Sequence, residues 1–209
     1  MSLSAVELWN QNAFLAINAG AQAPAYVVAI ARMLASWAIY LAMILLVIAW
    51  VRRGRAVRFA LLDATCTALI GLVVAQGIAG LWYHPRPFEI GLGRQLLDHA
   101  AEASFPSDHA TLMFSLAVSL LLNAASRHWG GVLLLLGFAV AWSRIYLGVH
   151  FPLDMFGAFG VATFVSFLIK MAGSRLHRLY YPRLISIYET GLDRLRLPEF
   201  IFPRVSQEQ

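Results

Sequence analysis

One stretch of the chain combines a histidine and a carboxylate with the turn that would bring them together. His150 follows Gly148, which suits a tight turn, and precedes Pro152, which suits the first position of a helix. Asp154 then falls in the first turn of that helix, four residues after His150 and within reach of its imidazole. A carboxylate there can fix the ring tautomer and stabilise a positive imidazole that attacks or accepts a proton. The simpler alternative is that Asp154 only complements the helix dipole.

A second imidazole lies in residues 104–109, which read Ser-Phe-Pro-Ser-Asp-His. Pro106 suits the first position of another helix, which would leave the next three backbone amides without acceptors inside that helix. Such a helix start can bind an anion, and the hydroxyl of Ser107 adds a donor. His109 follows in the first turn. The alternative is an ordinary capped helix with His109 at the membrane interface.

Two arginines complete this set of chemical groups. Arg86 lies between two prolines that stiffen the chain, and Arg144 precedes the turn that holds His150. A guanidinium group binds phosphate oxygens bidentately, although membrane anchoring is the commoner role of a lone arginine such as Arg86. The combined set suits phosphoryl transfer without a metal, in which one histidine attacks phosphorus and another protonates the leaving oxygen. No Cys and His residues have zinc-ligand spacing, and we expect no required cofactor.

The elements that position these residues are predicted to be membrane helices. Of the 209 residues 60% are hydrophobic and 13% charged, whereas a soluble domain carries about a quarter charged residues. The mean hydropathy is +0.68. We predict an all-α polytopic fold in which an amphipathic helix within residues 1–20 lies at the interface and five helices span the membrane. A disordered N-terminal tail is the alternative. The predicted spanning helices are 23–50, 56–83, 106–124, 129–147 and 152–172.

The distribution of positive charge predicts the orientation. Twelve of the 16 Lys and Arg residues lie on one side of the predicted helices, in the 52–58 loop, at Arg127 and from Lys170 onward. The positive-inside rule makes that side cytoplasmic and places residues 84–105 and 143–154 on the outer face. Because the charges lie between apolar segments rather than along a basic stripe with aromatic residues, the net charge of +5 predicts no nucleic-acid partner.

Three further boundaries follow from the same pattern. Residues 92–103, inside the longest polar interruption, are expected to form a short interfacial helix. Residues 1–175 would form the membrane-embedded domain. Residues 176–209, which are basic and aromatic, would form a cytoplasmic tail on the membrane surface.

Three motifs follow one another along the chain: Arg-Pro at 86–87, Pro-Ser-x-His at 106–109 and Ser-Arg-x5-His-x3-Asp at 143–154. In this order they resemble the type 2 phosphatidic acid phosphatase (PAP2) superfamily. The wording HPRPF…SFPSDH…AWSRIYLGVHFPLDM looks closest to its bacterial undecaprenyl-diphosphate phosphatase branch, the bacitracin-resistance type. The resemblance covers most of the chain and implies a six-helix bundle, with five spanning helices and the N-terminal interfacial helix.

The resemblance also implies a role for each residue of the motifs. His150 would be the nucleophile that forms a phosphohistidine, and Asp154 would orient its ring. His109 would be the general acid that later activates water. The transferring phosphate would be bound by three residues: Arg86, Ser107 and Arg144.

This chain departs from the superfamily pattern at two positions. The lysine that usually stands seven residues before the arginine of the first motif is replaced by Ala79, for which Arg94 or His84 could substitute. Asp108 stands where glycine is common, and its carboxylate is unfavourable beside a diphosphate unless it turns away, contacts an arginine or bridges a cation. Three residues are candidates for holding such a cation, although a solvated helix face is the simpler interpretation: Asp98, His99 and Glu102.

The expected activity is hydrolysis of undecaprenyl diphosphate to undecaprenyl phosphate and phosphate at the outer face of the bacterial inner membrane. That reaction recycles the carrier lipid for cell-wall peptidoglycan synthesis and confers bacitracin resistance. The expected partners are the polyprenyl diphosphate and membrane lipids. Two alternatives stay open: a phosphatidylglycerophosphate or phosphatidate phosphatase or lipid phosphotransferase, and a non-catalytic membrane scaffold. Lipid chain length, oligomeric state and stimulation by divalent cations are left open.

Overall fold

A computed structural model describes residues 4–196, 198 and 202. Within these residues the fold is all helical, as predicted, and contains no strand. Seven α-helices and one short 3-10 helix, Pro87–Ile90, follow one another. The α-helices are α1 (Ala5–Ile17), α2 (Ala25–Arg52), α3 (Arg55–Leu81), α4 (Asp108–Leu121), α5 (Arg127–Tyr146), α6 (Pro152–Leu179) and α7 (Tyr181–Arg194).

Four helices are long and apolar enough to cross a membrane: α2, α3, α5 and α6. The protein is therefore a multi-pass membrane protein. The third predicted span, 106–124, is shorter in the structure, because α4 has only 14 residues and a length of about 21 Å. Pro106 is not its first residue, because Ser107 is the N-cap with an extended backbone and its amide donates to the carbonyl of Asp154. Helix α4 lies between α3, α5 and α6, and most of its length is buried in protein.

Small residues let these helices approach closely. A Cβ on Gly130 of α5 would lie 2.5 Å from the backbone nitrogen of Leu121. On α6, a Cβ on Gly157 would lie 2.3 Å from the ring of Phe105. Close backbone approach of this kind is the usual way that helices associate in lipid, where burial of apolar surface supplies little driving force. Glycine at these positions keeps α4 central and holds the segment before it against α6.

The predicted helix over residues 92–103 is wrong, because this segment is an irregular loop. Gly91 and Gly93 begin it with positive φ angles of 67° and 69°. Its carbonyls bind arginines from elsewhere instead of its own amides: Arg32 donates to Leu96, and Arg86 donates to residues 102 and 103. These side chains replace the backbone bonds that a helix would need.

Different helix ends and loops meet at the two ends of the bundle. At one end, called here the site end, the C-terminal ends of α3 and α5 meet the N-terminal ends of α4 and α6. The predicted N-terminal helix is present as α1 and also lies there, since Asn10 accepts from the amide of Leu153 at 3.0 Å. The other end, called here the basic end, contains the α2–α3 turn, the end of α6 and the whole of α7. Helix α6 continues past residue 175 to Leu179 before α7 begins.

Candidate active site

A cavity of about 580 Å³ opens at the site end. It brings together four of the predicted residues, which come from four separate segments: Arg86, His109, Arg144 and His150. The rest of its wall comes from α3 and the residues just after it, from the 98–103 loop and from the start of α4: Gln76, Ala79, Gly80, Tyr83, His99, Glu102, Ala103, Pro106 and Asp108. Two predicted residues, Ser107 and Asp154, do not line the cavity but lie buried behind this wall.

His150 lies in the turn between α5 and α6 and is only 2% exposed. The turn needs glycine at position 148, because φ there is +82° and a Cβ would lie 2.2 Å from the carbonyl oxygen of Arg94. Pro152 then begins α6, as predicted, and places Asp154 in its first turn. Oδ2 of Asp154 lies 3.1 Å from Nδ1 of His150 and accepts the Phe151 amide at 2.7 Å.

Two partners define the tautomer of the His150 ring. A carboxylate only accepts hydrogen bonds, so Nδ1 carries the proton toward Asp154. A guanidinium only donates, and Nη1 of Arg86 lies 3.1 Å from Nε2, so Nε2 holds a lone pair on the cavity side. Burial, and after it the positive charges of Arg144 and Arg86, hold the pKa of His150 well below its ordinary value. The ring is therefore neutral at pH 7, and its unprotonated Nε2 accepts a hydrogen bond from Arg86.

The two arginines use their donors differently. Arg86 is buried and ties neighbouring segments together, with Nε 3.1 Å from the carbonyl of Glu102 and Nη1 3.0 Å from that of Val149. Arg144, which is 2% exposed, has no hydrogen-bond partner at Nε or Nη2 among the described residues. A buried guanidinium with free donors is costly unless something binds to it. Arg144 therefore has two unused donors beside the cavity that its side chain lines.

The N-terminal end of α4 forms another side of the site. His109 lines the cavity from the first turn of this helix. Ser107 is fully buried, and its hydroxyl has no partner among the described residues. The sequence predicted that both would face the same anion. In the structure His109 lines the cavity, whereas Ser107 is buried and does not reach it.

Comparison with known proteins identifies the family. Residues 60–178 match the model of the PAP2 superfamily. The YbjG protein of Escherichia coli K12 is 33% identical over 184 residues, which cover 88% of this chain and 92% of YbjG. This chain belongs to the PAP2 superfamily. A second PAP2 relative, undecaprenyl-diphosphatase BcrC of Bacillus subtilis 168, is 36% identical over 154 residues, 74% of this chain and 78% of BcrC.

Two solved structures share the PAP2 fold. The crystal structure of Aquifex aeolicus LpxE superposes with a TM-score of 0.66 at 22% identity, covering 78% of this chain and 95% of that chain. The PAP2-type phosphatidylglycerolphosphate phosphatase of Bacillus subtilis gives a TM-score of 0.57 at 19% identity, covering 85% and 90%. These similarities show the arrangement of the helices, not the substrate.

The departures from the PAP2 pattern have a structural outcome. Ala79 lines the cavity, so the position of the usual lysine faces the site but carries only a methyl group. Neither suggested substitute reaches it: Arg94 donates to the carbonyl of Gly20 at 3.0 Å, and His84 lies 3.4 Å from a carboxylate oxygen of Glu7. Both residues therefore help to hold the N-terminal segment.

The extra carboxylate of this PAP2 site is bound by a neighbour on α3. Oδ2 of Asp108 accepts a hydrogen bond from the Gln76 amide at 2.7 Å, instead of contacting an arginine. Two of the residues suggested for a cation, His99 and Glu102, line the cavity, whereas Asp98 does not. In the part of the chain that the structure describes, no three histidine, cysteine or carboxylate side chains form a metal-binding group.

Sequence reasoning missed one residue of the PAP2 site. Ser104 is fully buried, and its hydroxyl donates to Oδ2 of Asp154. The Oγ atom of Ser104 also lies 3.4 Å from Nδ1 of His150. Its amide donates to the carbonyl of His84 at 2.7 Å. Ser104 thus contacts the segments of the first and third motifs while it precedes the second. The sequence does show a second serine three residues before Ser107, but it does not indicate which of the two hydroxyls contacts the histidine–aspartate pair.

Proposed function

We propose that this PAP2 phosphatase hydrolyses undecaprenyl diphosphate to undecaprenyl phosphate and phosphate through a phosphohistidine at His150. The observation that carries the proposal is the arrangement of this ring at the cavity, with an unprotonated Nε2 beside Arg86 and Nδ1 against Asp154. The substrate class is supported by the name of the relative BcrC, an undecaprenyl-diphosphatase at 36% identity.

In the first step the lone pair of Nε2 attacks the terminal phosphorus, and the bond from phosphorus to the bridging oxygen breaks. Burial, and after it the charge of Arg144, lower the pKa of His109 to about 4, so this ring must take a proton from solvent when the negative diphosphate binds. The protonated His109 then donates to the bridging oxygen, and undecaprenyl phosphate leaves. The His150 ring becomes positive, and Asp154 stabilises it through the Nδ1 proton. In the second step His109 takes a proton from water, whose oxygen attacks phosphorus. The phosphorus–nitrogen bond then breaks, which releases phosphate and restores neutral His150.

The donors around the cavity would bind the phosphate as its charge redistributes. Arg144 offers free Nε and Nη2 groups, and Arg86 can turn Nη1 from the imidazole to a phosphate oxygen. Ser107 would join them with its unpaired hydroxyl after a small movement of the helix start. Fixed donors aimed at developing charge are usually the largest contribution to catalysis of this kind.

The proposed location is the bacterial inner membrane, with the cavity toward the periplasm and residues 176–209 on the cytoplasmic surface; residues 203–209, including Arg204, lie outside the described part. The support is the positive-inside rule, since most Lys and Arg residues lie away from the site end. Trp82 and Tyr83, both exposed beside the site, suit the level of lipid headgroups. This location suits recycling of a carrier lipid for the cell wall and protection against bacitracin.

A substrate panel with purified protein in detergent tests the proposal. Undecaprenyl diphosphate, phosphatidylglycerophosphate and phosphatidate are compared by phosphate release, with and without an acceptor lipid. We expect the highest kcat/KM with the polyprenyl diphosphate, and labelled phosphate trapped on His150. A clear preference for another lipid would reject the substrate, transfer to the acceptor would reject hydrolysis, and absence of turnover and label would favour a scaffold.

A further inference from the structure

The wall of the cavity contains polar side chains that the PAP2 motifs do not include. The amide of Gln76 on α3 is bonded to Asp108, and the hydroxyl of Tyr83, just after α3, donates to Glu89. His99, from the 98–103 loop, also lines the cavity and is half-buried. Of these three non-motif groups, only His99 keeps a nitrogen without a hydrogen-bond partner among the described residues.

His99 is held next to the His150 ring. The two ring centres are 6.1 Å apart and the planes lie at 77°, an edge-to-face arrangement. Nδ1 of His99 lies 3.1 Å from the carbonyl oxygen of Ala100 and therefore carries a proton. That bond leaves Nε2 for the cavity, in the same way that Asp154 leaves Nε2 of His150. A phosphate bound to Nε2 of His150 would therefore lie close to the His99 ring, since both residues line the same cavity.

We propose that His99 is a phosphate-binding residue. Its hydrogen-bond donor, which comes from the loop, would replace the donor that is missing on α3 because Ala79 stands there. The inference deepens the proposed function and rests on it, because the bound group is the phosphate transferred to His150. Both residues line the one cavity, and Ala79 contributes no polar atom there. The phosphate would thus have as many donor residues around it as in a site with the usual lysine, but one of them would come from a different segment.

The charges around His99 explain how a neutral ring becomes a donor. Burial is the first cause that lowers the pKa of His99, and the positive charges of Arg86 and Arg144 add to it, although the hydrogen bond to Ala100 and the charge of Glu102 oppose them. At pH 7 the ring is therefore neutral and Nε2 carries a lone pair. A bound phosphate brings negative charge that offsets the two guanidinium groups, so the ring takes a proton from solvent. Nε2–H then donates a charge-assisted hydrogen bond to a phosphate oxygen.

Inhibition by inorganic phosphate is the direct test, because phosphate is the product of any lipid phosphatase. We expect His99→Ala to raise the inhibition constant for phosphate about tenfold and to lower kcat/KM about 10- to 100-fold, since a lost donor to developing charge typically costs about 100- to 1000-fold and His99 is only half-buried. His99→Lys, which restores a positive donor, should recover most of both losses. His128→Ala, an exposed histidine at the start of α5, is the matched control and should change neither.

The outcomes separate this inference from the proposed function. An unchanged phosphate inhibition constant in His99→Ala would overturn it, as would loss of activity that His99→Lys does not recover while both variants keep the parent melting temperature. If His99→Ala does not fold, His99→Gln replaces it and should show the same weakening in smaller measure. A parent enzyme that prefers another lipid phosphate would reject the proposed substrate, yet the phosphate and lysine measurements would still decide the role of His99.

Discussion

A histidine lies against a buried aspartate at each end of the bundle, and the two pairs have nearly the same distance from nitrogen to oxygen. At the site end, Nδ1 of His150 is 3.1 Å from Oδ2 of Asp154. At the basic end, Nε2 of His177 is 3.0 Å from Oδ2 of Asp63. A short contact between histidine and aspartate therefore does not by itself distinguish a reactive site.

The surroundings of the second ring nitrogen differ. His150 presents Nε2 to the cavity and Arg86. The His177 ring instead packs against the rings of Phe59 at 4.9 Å and Tyr181 at 5.1 Å between centres. This pair therefore joins α6 to α3, and the ring of His177 also contacts Tyr181 of α7. Its imidazole packs against aromatic side chains instead of lining the cavity of the site end.

Each end also has a buried arginine, and these differ in the same way. Arg58 lies between the rings of Trp50 and Tyr188, at 5.7 and 5.4 Å, and forms an ion pair with Glu189 at 3.6 Å. Arg144 lines the cavity and has two buried donor nitrogens without partners among the described residues. The comparison teaches that uncommitted donors around open space, rather than buried charge or a His–Asp pair, identify the site.

The largest expected difference comes from replacing each histidine. His150→Ala should lower kcat by at least about 1000-fold, because the nucleophile is lost. His177→Ala should keep kcat within about twofold and lower the melting temperature, because it removes a contact that fastens α7. Phosphate release and thermal unfolding measure the two effects. Equal loss of activity in both variants would contradict the distinction.

The arginines should differ next. Arg144→Ala should lower kcat/KM by about 100- to 1000-fold, the usual effect of losing a donor to developing charge. Arg58→Ala should leave kcat/KM nearly unchanged but destabilise the protein, since it leaves the Glu189 carboxylate without this partner. Steady-state kinetics with purified variants, read beside their melting temperatures, measure both. A stable Arg144→Ala variant with parent kinetics would remove Arg144 from the site.

A smaller difference is expected from the hydroxyl that each aspartate accepts. Ser104→Ala should lower kcat about tenfold with little change in KM, because Asp154 loses a donor that helps to hold it against His150. Tyr181→Phe removes the corresponding 2.9 Å bond to Asp63 and should cost about 1 kcal/mol of stability with kcat unchanged. Recovery of kcat in Ser104→Thr would show that the hydroxyl, and not the volume of the side chain, is responsible.

The helices were largely predictable because length and hydropathy determine what can cross a membrane. The exceptions are segments whose backbone partners come from elsewhere. Residues 92–103 do not form the predicted helix, because arginine side chains bind carbonyls of this segment. Helix α4 begins later than predicted because the amide of Ser107 donates to the carbonyl of Asp154 on α6. A local pattern contains no information about such distant partners.

The meeting of the three motifs was predictable from their order and their resemblance to a known family. The finer assignments were not. Ser104 and Ser107 are three residues apart, and only the turn before α4 decides which hydroxyl reaches Asp154. His99 belongs to no motif, and its place beside His150 depends on the path of an irregular loop.

The smallest expected effect concerns the proton on His150. Burial is the first cause of its low pKa and the charge of Arg144 is the second. Arg144→Ala should therefore raise the pKa of His150 but leave it below the ordinary value, because burial by the other neighbours stays. NMR of ring-labelled histidine in the detergent-solubilised protein measures this titration, and His150→Gln assigns the signal.

Arg58→Ala is the matched control, since it removes an equal charge at the far end of the bundle. It should leave the His150 titration in place, because water and ions screen charges over such distances. A rise of similar size in both variants would mean that overall charge, not the local guanidinium, sets the protonation of His150. The contrast between the two ends would then lose its electrostatic basis, and only the cavity would separate them.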